Sequence, residues 1–155
     1  MVESKHEVLR LESRLESVDR AQTQAQYFAS EAGFSEADRH EVAMAVREIV
    51  INAIAHGNAY DPAKRVKLEF ELTPAELVIE IQDEGAGFDP NHQPDPLAPE
   101  NLMRQSGRGM LLARAFMDQI DFYPSPHGTS VRMCKHRPSL DGRGCSHSGP
   151  GANRE

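Results

Sequence analysis

The sequence predicts an α/β fold of the α+β type, a two-layer sandwich in which a mixed, mainly antiparallel sheet has helices on one face. Five short segments carry apolar residues at every second position, which indicates strands with one buried face. Two longer stretches between the first and second of these strands have apolar residues at helical spacing. The hairpin connections are too short for parallel crossovers, so neighbouring strands are expected to be mostly antiparallel.

The chain begins with a predicted strand and helix. A strand is predicted in residues 8–15, where Leu9 and Leu11 alternate with polar residues. The first helix is predicted from Ser17 onward, because apolar residues then recur at helical intervals. Gly33 lies where a glycine commonly ends a helix, so the first helix is expected to stop there.

The second helix is predicted to begin at Ser35 and to run to Gly57. Ser35 and Asp38 have the spacing of a capping box, in which the serine side chain accepts a hydrogen bond from the backbone of the first turn. Apolar residues then form one broad helical face at Val42, Val46, Ile49, Val50, Ala53 and Ile54.

In the second half of the chain the pattern predicts four strands, two before a long loop and two after it. Residues 66–72 and 77–81 alternate as the two arms of an antiparallel hairpin. Residues 83–109 are rich in proline and glycine, which is typical of a functional lid or a linker. A short helix is predicted at residues 109–117. The last two strands are marked by Ile120 and Phe122 and by Thr129, Val131 and Met133, joined through residues 124–128.

Composition narrows the class of protein. The 155 residues suit one domain, expected at residues 1–136, with a disordered tail at 137–155 that has almost no apolar side chains. The net charge is −7, and the tail contributes +1 (three Arg against one Asp and one Glu), which leaves −8 on the domain. This balance argues against nucleic-acid and anionic-membrane partners.

Cysteine usage and hydropathy add two exclusions. Cys134 and Cys145 are too few for a disulfide framework or a cysteine-type zinc site. No apolar run approaches the ~18 residues of a membrane span, and the first residues lack the pattern of a signal peptide. We therefore expect a soluble, cytoplasmic domain.

The second helix carries the first candidate site residues. Glu48, Asn52 and His56 are spaced by four residues and share one side of the helix, distinct from its apolar face. A carboxylate and an amide oxygen at this spacing suit a general base and a ligand for a hard cation. The same pattern also fits an ordinary solvated helix face, with His56 favoured near the helix C-terminus.

Two glycine-rich motifs follow. Residues 83–88 (DEGAGF) end a predicted strand, and Gly85 and Gly87 would let the backbone approach a ligand beside Asp83. Ser106 to Gly109 (SGRG) open a predicted helix whose backbone N–H groups could hold an anion. Either motif alone is also compatible with a turn or a helix cap. Neither is a Walker loop or a dinucleotide fingerprint.

The order of these motifs is more specific than any one of them. REIVINAIAHG, DEGAGFDP, PENLMRQSGRGMLLARAFMD and HGTSV follow one another as in the ATP-binding fold of histidine kinases, gyrase B, Hsp90 and MutL. The chain closely resembles this superfamily over roughly residues 8–136, which implies a Bergerat-type ATP-binding fold. Within the superfamily it resembles the anti-sigma-factor serine/threonine kinases of bacterial partner-switching systems.

The resemblance implies a role for each site residue. Asn52 would ligate Mg²⁺, and Glu48 would be the general base that accepts the proton of a serine or threonine hydroxyl. Asp83 would bind the adenine amino group, and Gly87 and Thr129 would line the base pocket. The phosphates would be wrapped by Gly107, Arg108, Gly109 and Met110, beneath a lid at residues 89–106. Whether Arg108 faces phosphate or solvent stays open.

The resemblance also implies partners. The chain would sequester a sigma factor and phosphorylate a STAS-domain antagonist, with ATP and Mg²⁺ as cofactors, and would form a homodimer. Arg20 on the first helix is a candidate partner contact. The alternative is a nucleotide-gated regulatory module without kinase activity, against which Glu48 argues. A two-component histidine kinase is disfavoured, because no dimerisation helices fit into residues 1–16.

Overall fold

A computed structural model describes residues 4–85 and 113–138 of the chain. Five strands, two α-helices and a helical stretch at residues 113–116 form the described part, and the second helix continues into one π-helical turn. In chain order the elements are β1 (Lys5–Glu12), α1 (Glu16–Glu31), α2 (Glu36–Asn52), the π turn (Ala53–Gly57), β2 (Arg65–Leu72), β3 (Glu76–Gln82), β4 (Gln119–Ser125) and β5 (Gly128–His136). No helix within these residues is long and apolar enough to cross a membrane.

The five strands form one sheet in the order β1-β2-β3-β5-β4. Each of the four strand pairs is antiparallel, so the sheet in the described residues is antiparallel throughout rather than mixed. The α/β sandwich that the sequence predicts is confirmed. Because β5 lies between β3 and β4, the end of β3 and the start of β5 are neighbours at one end of the sheet.

The core lies between one face of the sheet and the two helices. Alternate residues of β2 and β3 are fully buried there, and the ring of Phe28 from α1 stacks on that of Phe70 from β2 with centroids 4.9 Å apart. Val42 and Val46 of α2 are also fully buried. On the opposite face the buried side chains of the described strands are Val78 and Cys134.

The caps of the helices agree with the sequence-based predictions. Gly33 follows α1 with φ +88°, and its N–H donates to Ser30 O at 3.0 Å, while Phe34 N–H donates to Ala29 O at 3.2 Å. This is the Schellman arrangement, which glycine favours because it adopts positive φ without strain. At the start of α2 the Ser35 side chain accepts a hydrogen bond from Asp38 N–H at 3.1 Å.

Three element boundaries differ from the prediction. β1 begins at Lys5, because it pairs with the whole of β2, and it ends before Ser13, whose hydroxyl donates to Lys64 O at 2.7 Å. Pro124 belongs to the edge strand β4 rather than to the turn, since its missing N–H costs no ladder bond at an edge. Of the helix predicted at 109–117, residues 113–116 are helical and the preceding ones lie outside the described range.

Composition predicts that Arg137 is part of the tail, but its side chain contacts the folded domain. Its guanidinium donates to Glu31 O, Ala32 O and Thr73 O, the last at 2.7 Å, and its N–H donates to Ala75 O. These contacts join the C-terminus of α1 to the β2–β3 turn. Residues 139–155, the rest of the predicted tail, lie outside the described residues.

Candidate functional site

Asp83 is the best-positioned candidate residue. It follows β3 directly, and its side chain is almost fully buried. Its N–H donates to Thr129 O at 3.0 Å, and its Oδ1 accepts hydrogen bonds from Gly85 N–H at 3.0 Å and Thr129 N–H at 3.1 Å. The backbone at the start of β5 therefore fixes both the main chain and one carboxylate oxygen of Asp83.

The second oxygen of this carboxylate remains available. Oδ2 of Asp83 receives no hydrogen bond from any other described residue. Burial raises the pKa of Asp83, while the N–H groups of Gly85 and Thr129 and the charge of Lys64 act in the opposite direction. A buried carboxylate oxygen of this kind can accept a hydrogen bond from an N–H group on the edge of a flat, otherwise apolar ligand.

Three glycines surround Asp83 because a side chain would not fit. A Cβ at Gly57 would overlap Asp83 Oδ2, one at Gly128 would overlap Asp83 O, and one at Gly85 would overlap Gly57 O. Gly128 also has φ +142°, a conformation that few other residues adopt. The π turn ends at Gly57, so the end of this helix packs against the carboxylate of Asp83. Such π turns are frequent at functional sites.

Asn58 is a structural residue of the site that our sequence reasoning missed. It is 1% exposed, and its Oδ1 accepts a hydrogen bond from Glu84 N–H at 2.7 Å. Its Nδ2 donates to Ser13 Oγ at 2.9 Å and to Arg65 O at 3.1 Å. Asn58 thereby ties the residue after Asp83 to the end of the π turn and to β2. The sequence signal for this role is limited to an asparagine that directly follows a glycine at the end of a predicted helix.

Asn52 carries an unsatisfied polar atom. Its Nδ2 is buried and has no hydrogen-bond partner among the described residues. The oxygen and nitrogen of an amide are interchangeable by a simple flip, so either atom could occupy this position. An amide oxygen is a normal ligand of Mg²⁺, and an amide N–H₂ can donate to a phosphate oxygen. Asn52 therefore fits the Mg²⁺ and nucleotide that the family resemblance implies.

Glu48 lies one turn before Asn52 on α2. Its side chain is partly exposed and makes no hydrogen bond or ion pair with another described residue. A carboxylate with this freedom can accept a proton from an incoming hydroxyl.

His56 is exposed on the π turn. It makes no hydrogen bond or ion pair with another described residue, so the structure assigns it no role.

The structure brings part of the predicted site together. Asp83, Gly85 and Thr129 are in direct contact, and Gly57 joins them to the helix that carries Glu48 and Asn52. The remaining predicted residues lie in the stretch 86–112, outside the described part of the chain. They are Gly87, Gly107, Arg108, Gly109, Met110 and the lid at 89–106.

Comparison with known families agrees with this geometry. Residues 11–135 match the family described as Histidine kinase-like ATPase domain. The match covers most of the chain, and the protein therefore belongs to this family of ATP-binding domains.

Curated relatives place the chain among the anti-sigma-factor kinases of that family. The anti-sigma F factor of Oceanobacillus iheyensis is 37% identical over 100 residues, which cover 61% of this chain and 67% of the relative. The serine-protein kinase RsbW of Staphylococcus aureus is 31% identical over 116 residues, covering 69% of this chain and 71% of the relative. RsbW of Listeria innocua is 26% identical over 134 residues, or 83% and 85%.

Solved structures share the fold. The RsbU and RsbW domains of Rv1364c from Mycobacterium tuberculosis match 87% of this chain with a TM-score of 0.62 and 16% identity, and the chain spans 33% of that structure. A histidine kinase domain from Erythrobacter litoralis EL346 matches 78% of the chain with a TM-score of 0.52, also at 16% identity, and the chain spans 59% of it. The antiparallel sheet with helices is thus the ATP-binding fold of this family.

Proposed function

We propose that the protein is an ATP-binding anti-sigma factor and serine/threonine protein kinase of a partner-switching system. The observation that carries the proposal is the environment of Asp83. Backbone amides occupy one carboxylate oxygen, glycines pack closely around the side chain, and the other oxygen accepts no hydrogen bond from the part of the chain that the structure describes. This arrangement suits the amino group of adenine, and Gly85, Gly87 and Thr129 would line the same pocket.

Positioning of the phosphates is the task of two other regions. Asn52 would hold Mg²⁺ through its amide oxygen, and the backbone N–H groups of Gly107, Gly109 and Met110 would hold phosphate oxygens, with Arg108 beside them. Bound Mg²⁺ supplies positive charge to the triphosphate, and phosphoryl transfer depends mainly on such charge and on alignment. Both α2 and the fixed end of β3 are rigid supports for this purpose.

Glu48 is the proposed catalytic residue. It would accept the proton of the serine or threonine hydroxyl of the substrate as that oxygen attacks the terminal phosphorus. Its carboxylate is free of other described partners, as a general base requires. The spacing of four residues places it on the same side of α2 as Asn52.

The proposed partners follow the names of the relatives. Relatives are named anti-sigma F factor and serine-protein kinase RsbW. We extend this to a sigma factor that the chain sequesters and to a STAS-domain antagonist that it phosphorylates. Bound nucleotide would change the relative affinity for the two, which is a coupling between binding equilibria. A cytoplasmic homodimer is part of the proposal.

The test is phosphotransfer from γ-labelled ATP with Mg²⁺, using STAS-type proteins from the same organism as acceptors. Wild type would be compared with Glu48→Gln and with the control Glu41→Gln, seven residues earlier on α2. We expect label on one acceptor with wild type and with Glu41→Gln, and a loss of at least 100-fold in rate with Glu48→Gln, in line with general-base catalysis.

One result would contradict the role of Glu48, and another would contradict kinase activity. If Glu48→Gln transferred phosphate at the wild-type rate, Glu48 would not be the base. If ATP bound but no acceptor were labelled, the chain would instead be the nucleotide-gated binding module. A pull-down of the sigma factor with and without ATP would then decide whether nucleotide controls that interaction.

A further inference from the structure

A second group of reactive side chains lies on the sheet face opposite the helices. Glu76 begins β3 and pairs in register with His136, the last residue of β5. Cys134 lies two residues before His136, so both side chains are on this face. One ligand atom from each of the three residues lies within 4.8 Å of the others. Three side chains from two adjacent strands thus converge on one point.

Two distances within this cluster lie on either side of the ligand spacing in a metal site. Cys134 Sγ lies 2.7 Å from Glu76 Oε1, and His136 Nε2 lies 3.9 Å from the same oxygen. Tetrahedral zinc ligands are about 3.5 Å apart, given metal–ligand distances of about 2.0–2.3 Å. Binding would therefore require side-chain rotations that move Cys134 Sγ away from Glu76 and His136 Nε2 towards it.

A fourth residue orients the histidine. His136 Nδ1 lies 3.6 Å from Asp118 Oδ2, on the side of the ring away from Glu76. The same oxygen accepts a hydrogen bond from His136 N–H at 2.7 Å, which fixes the carboxylate in place. Histidines that bind metal through Nε2 commonly present Nδ1 to such a carboxylate. Asp118 therefore supplies the outer contact that a metal-binding His136 needs.

We propose that Cys134, His136 and Glu76 bind a divalent transition metal of the zinc type, with a fourth position open to water. Zinc binds sulfur, imidazole nitrogen and carboxylate oxygen, and three protein ligands with a water in the fourth position occur where a zinc site is not closed by a fourth side chain. Cys134 is 5% exposed, whereas the side chains of Glu76 and His136 are 32% and 29% exposed. The ion can therefore enter from solvent.

Charge in the cluster favours a cation. Glu76 and Asp118 contribute two carboxylates, and the nearest cation on the same face of β5 is Arg132, which lies opposite Glu80 and Asp121 in register. Burial and the Glu76 carboxylate raise the pKa of the Cys134 thiol, which acts against binding because the thiol must lose its proton to coordinate the ion. Binding then releases this proton to solvent as sulfur coordinates the ion.

The metal site is separate from the ATP site. Glu76 begins β3 and Asp83 follows its end, so the two sites lie about 20 Å apart along the strand. A metal at this end would clamp β3 to β5 and stabilise the sheet without contacting nucleotide. The inference therefore does not depend on the proposed kinase function.

The test is titration of the full-length, reduced protein with Co²⁺, a spectroscopic substitute for Zn²⁺. We expect one equivalent to give a thiolate-to-cobalt charge-transfer band that Zn²⁺ abolishes, and Zn²⁺ to raise the melting temperature. Cys134→Ser and His136→Gln should each remove the band or weaken the affinity at least tenfold. The control Cys145→Ser with His147→Ala, in the tail, should leave band and affinity unchanged.

Two outcomes would overturn the inference. One is the absence of a charge-transfer band at an excess of Co²⁺. The other is a band that persists in Cys134→Ser and His136→Gln but disappears in the tail control, which would place the ligands elsewhere. The circular dichroism of each variant verifies folding, and His136 lies at a strand end where substitution is tolerated more readily than in the core.

Discussion

At Asp83 the two oxygens of one carboxylate have different tasks. Oδ1 accepts two backbone hydrogen bonds and keeps the side chain in place, whereas Oδ2 has no described donor. Asparagine in this position would keep an acceptor oxygen for the backbone but lose the charge. Replacement by asparagine therefore separates nucleotide binding from folding.

We predict that Asp83→Asn weakens ATP binding roughly 10- to 100-fold. This corresponds to the loss of a hydrogen bond to a charged group, which contributes about 1.5–3 kcal/mol. The folded protein should remain as cooperative as wild type in thermal unfolding. Isothermal titration calorimetry with ATP gives the affinity. Wild-type affinity in this variant would refute the adenine assignment.

The pH dependence of the free energy of unfolding provides a second test with the Asp83→Asn variant. The pKa of Asp83 is raised by burial, so the folded state binds more protons than the unfolded state between the ordinary aspartate pKa and the raised one. The contribution of Asp83 to the stability of wild type therefore falls as pH rises through that interval, and asparagine does not titrate. The free energy of unfolding of Asp83→Asn, relative to wild type, should therefore increase with pH and then level off, as measured by urea titration.

Gly57 allows a second prediction at the scale of single residues. A methyl group there would overlap Asp83 Oδ2. We expect Gly57→Ala to cost about 1–3 kcal/mol of stability and to reduce ATP affinity at least tenfold, because the carboxylate must move. Differential scanning fluorimetry with and without ATP measures both effects.

Gly33→Ala is the matched control for this prediction. Gly33 has φ +88° but open space for a methyl group, with Pro138 Cγ 3.9 Å away. This variant should lose about 1–2 kcal/mol through backbone strain and keep its ATP affinity. If both variants lost affinity equally, the effect would reflect stability rather than displacement of Asp83.

Among the elements, α2 connects the fold to the proposed chemistry. It begins at the Ser35 cap, packs its apolar side on the sheet, and carries Glu48 and Asn52 on another side. Any fraying at its start is far from these residues. The cap is therefore expected to contribute to stability but not to nucleotide binding.

We predict that Ser35→Ala lowers the free energy of unfolding by about 1 kcal/mol, because Asp38 N–H loses its acceptor. Urea denaturation followed by circular dichroism measures this loss. Ser30 is exposed on α1, and its side chain makes no hydrogen bond to another described residue, so Ser30→Ala should change stability by less than half as much. Equal losses in the two variants would contradict the capping role.

For the molecule as a whole, Arg137 joins parts that are distant in sequence. Its guanidinium contacts carbonyls at the end of α1 and in the β2–β3 turn. We predict that Arg137→Ala costs about 1–2 kcal/mol in urea unfolding, since these carbonyls lose a charged donor. Arg137→Lys, which keeps the charge without the planar fork, should recover less than half of the loss. A loss below about 0.5 kcal/mol in Arg137→Ala, the range of an ordinary surface substitution, would show that these hydrogen bonds do not stabilise the fold.

The sequence predicted those features that depend on neighbours along the chain. Gly33, Ser35 and the alternation of β2 and β3 are local signals, and the structure agrees with each. Contacts between distant residues were not predictable in this way. Composition alone places Arg137 in the tail, because the carbonyls that its guanidinium contacts lie 64 to 106 residues away. The contacts of Asn58 likewise depend on β2 and on Glu84.

The same difference between local signals and distant contacts applies to the candidate site. Asp83 and Thr129 were named on the family resemblance, and the structure shows them in contact. The meeting of Cys134, His136 and Glu76 has no local signature beyond the alternate spacing of the first two, because the third comes from another strand. Cysteine count alone had argued against any zinc site of the cysteine type.

The π turn has a consequence for how relatives are compared. Asn58 N–H donates to Ala53 O, five residues back, so this turn contains one residue more than an α-helical turn would. A relative with a regular helix here would therefore need a one-residue gap between its equivalents of Asn52 and Gly57. An alignment that ignores this gap would shift every residue from Gly57 to β2 by one position and would exchange the two faces of that strand.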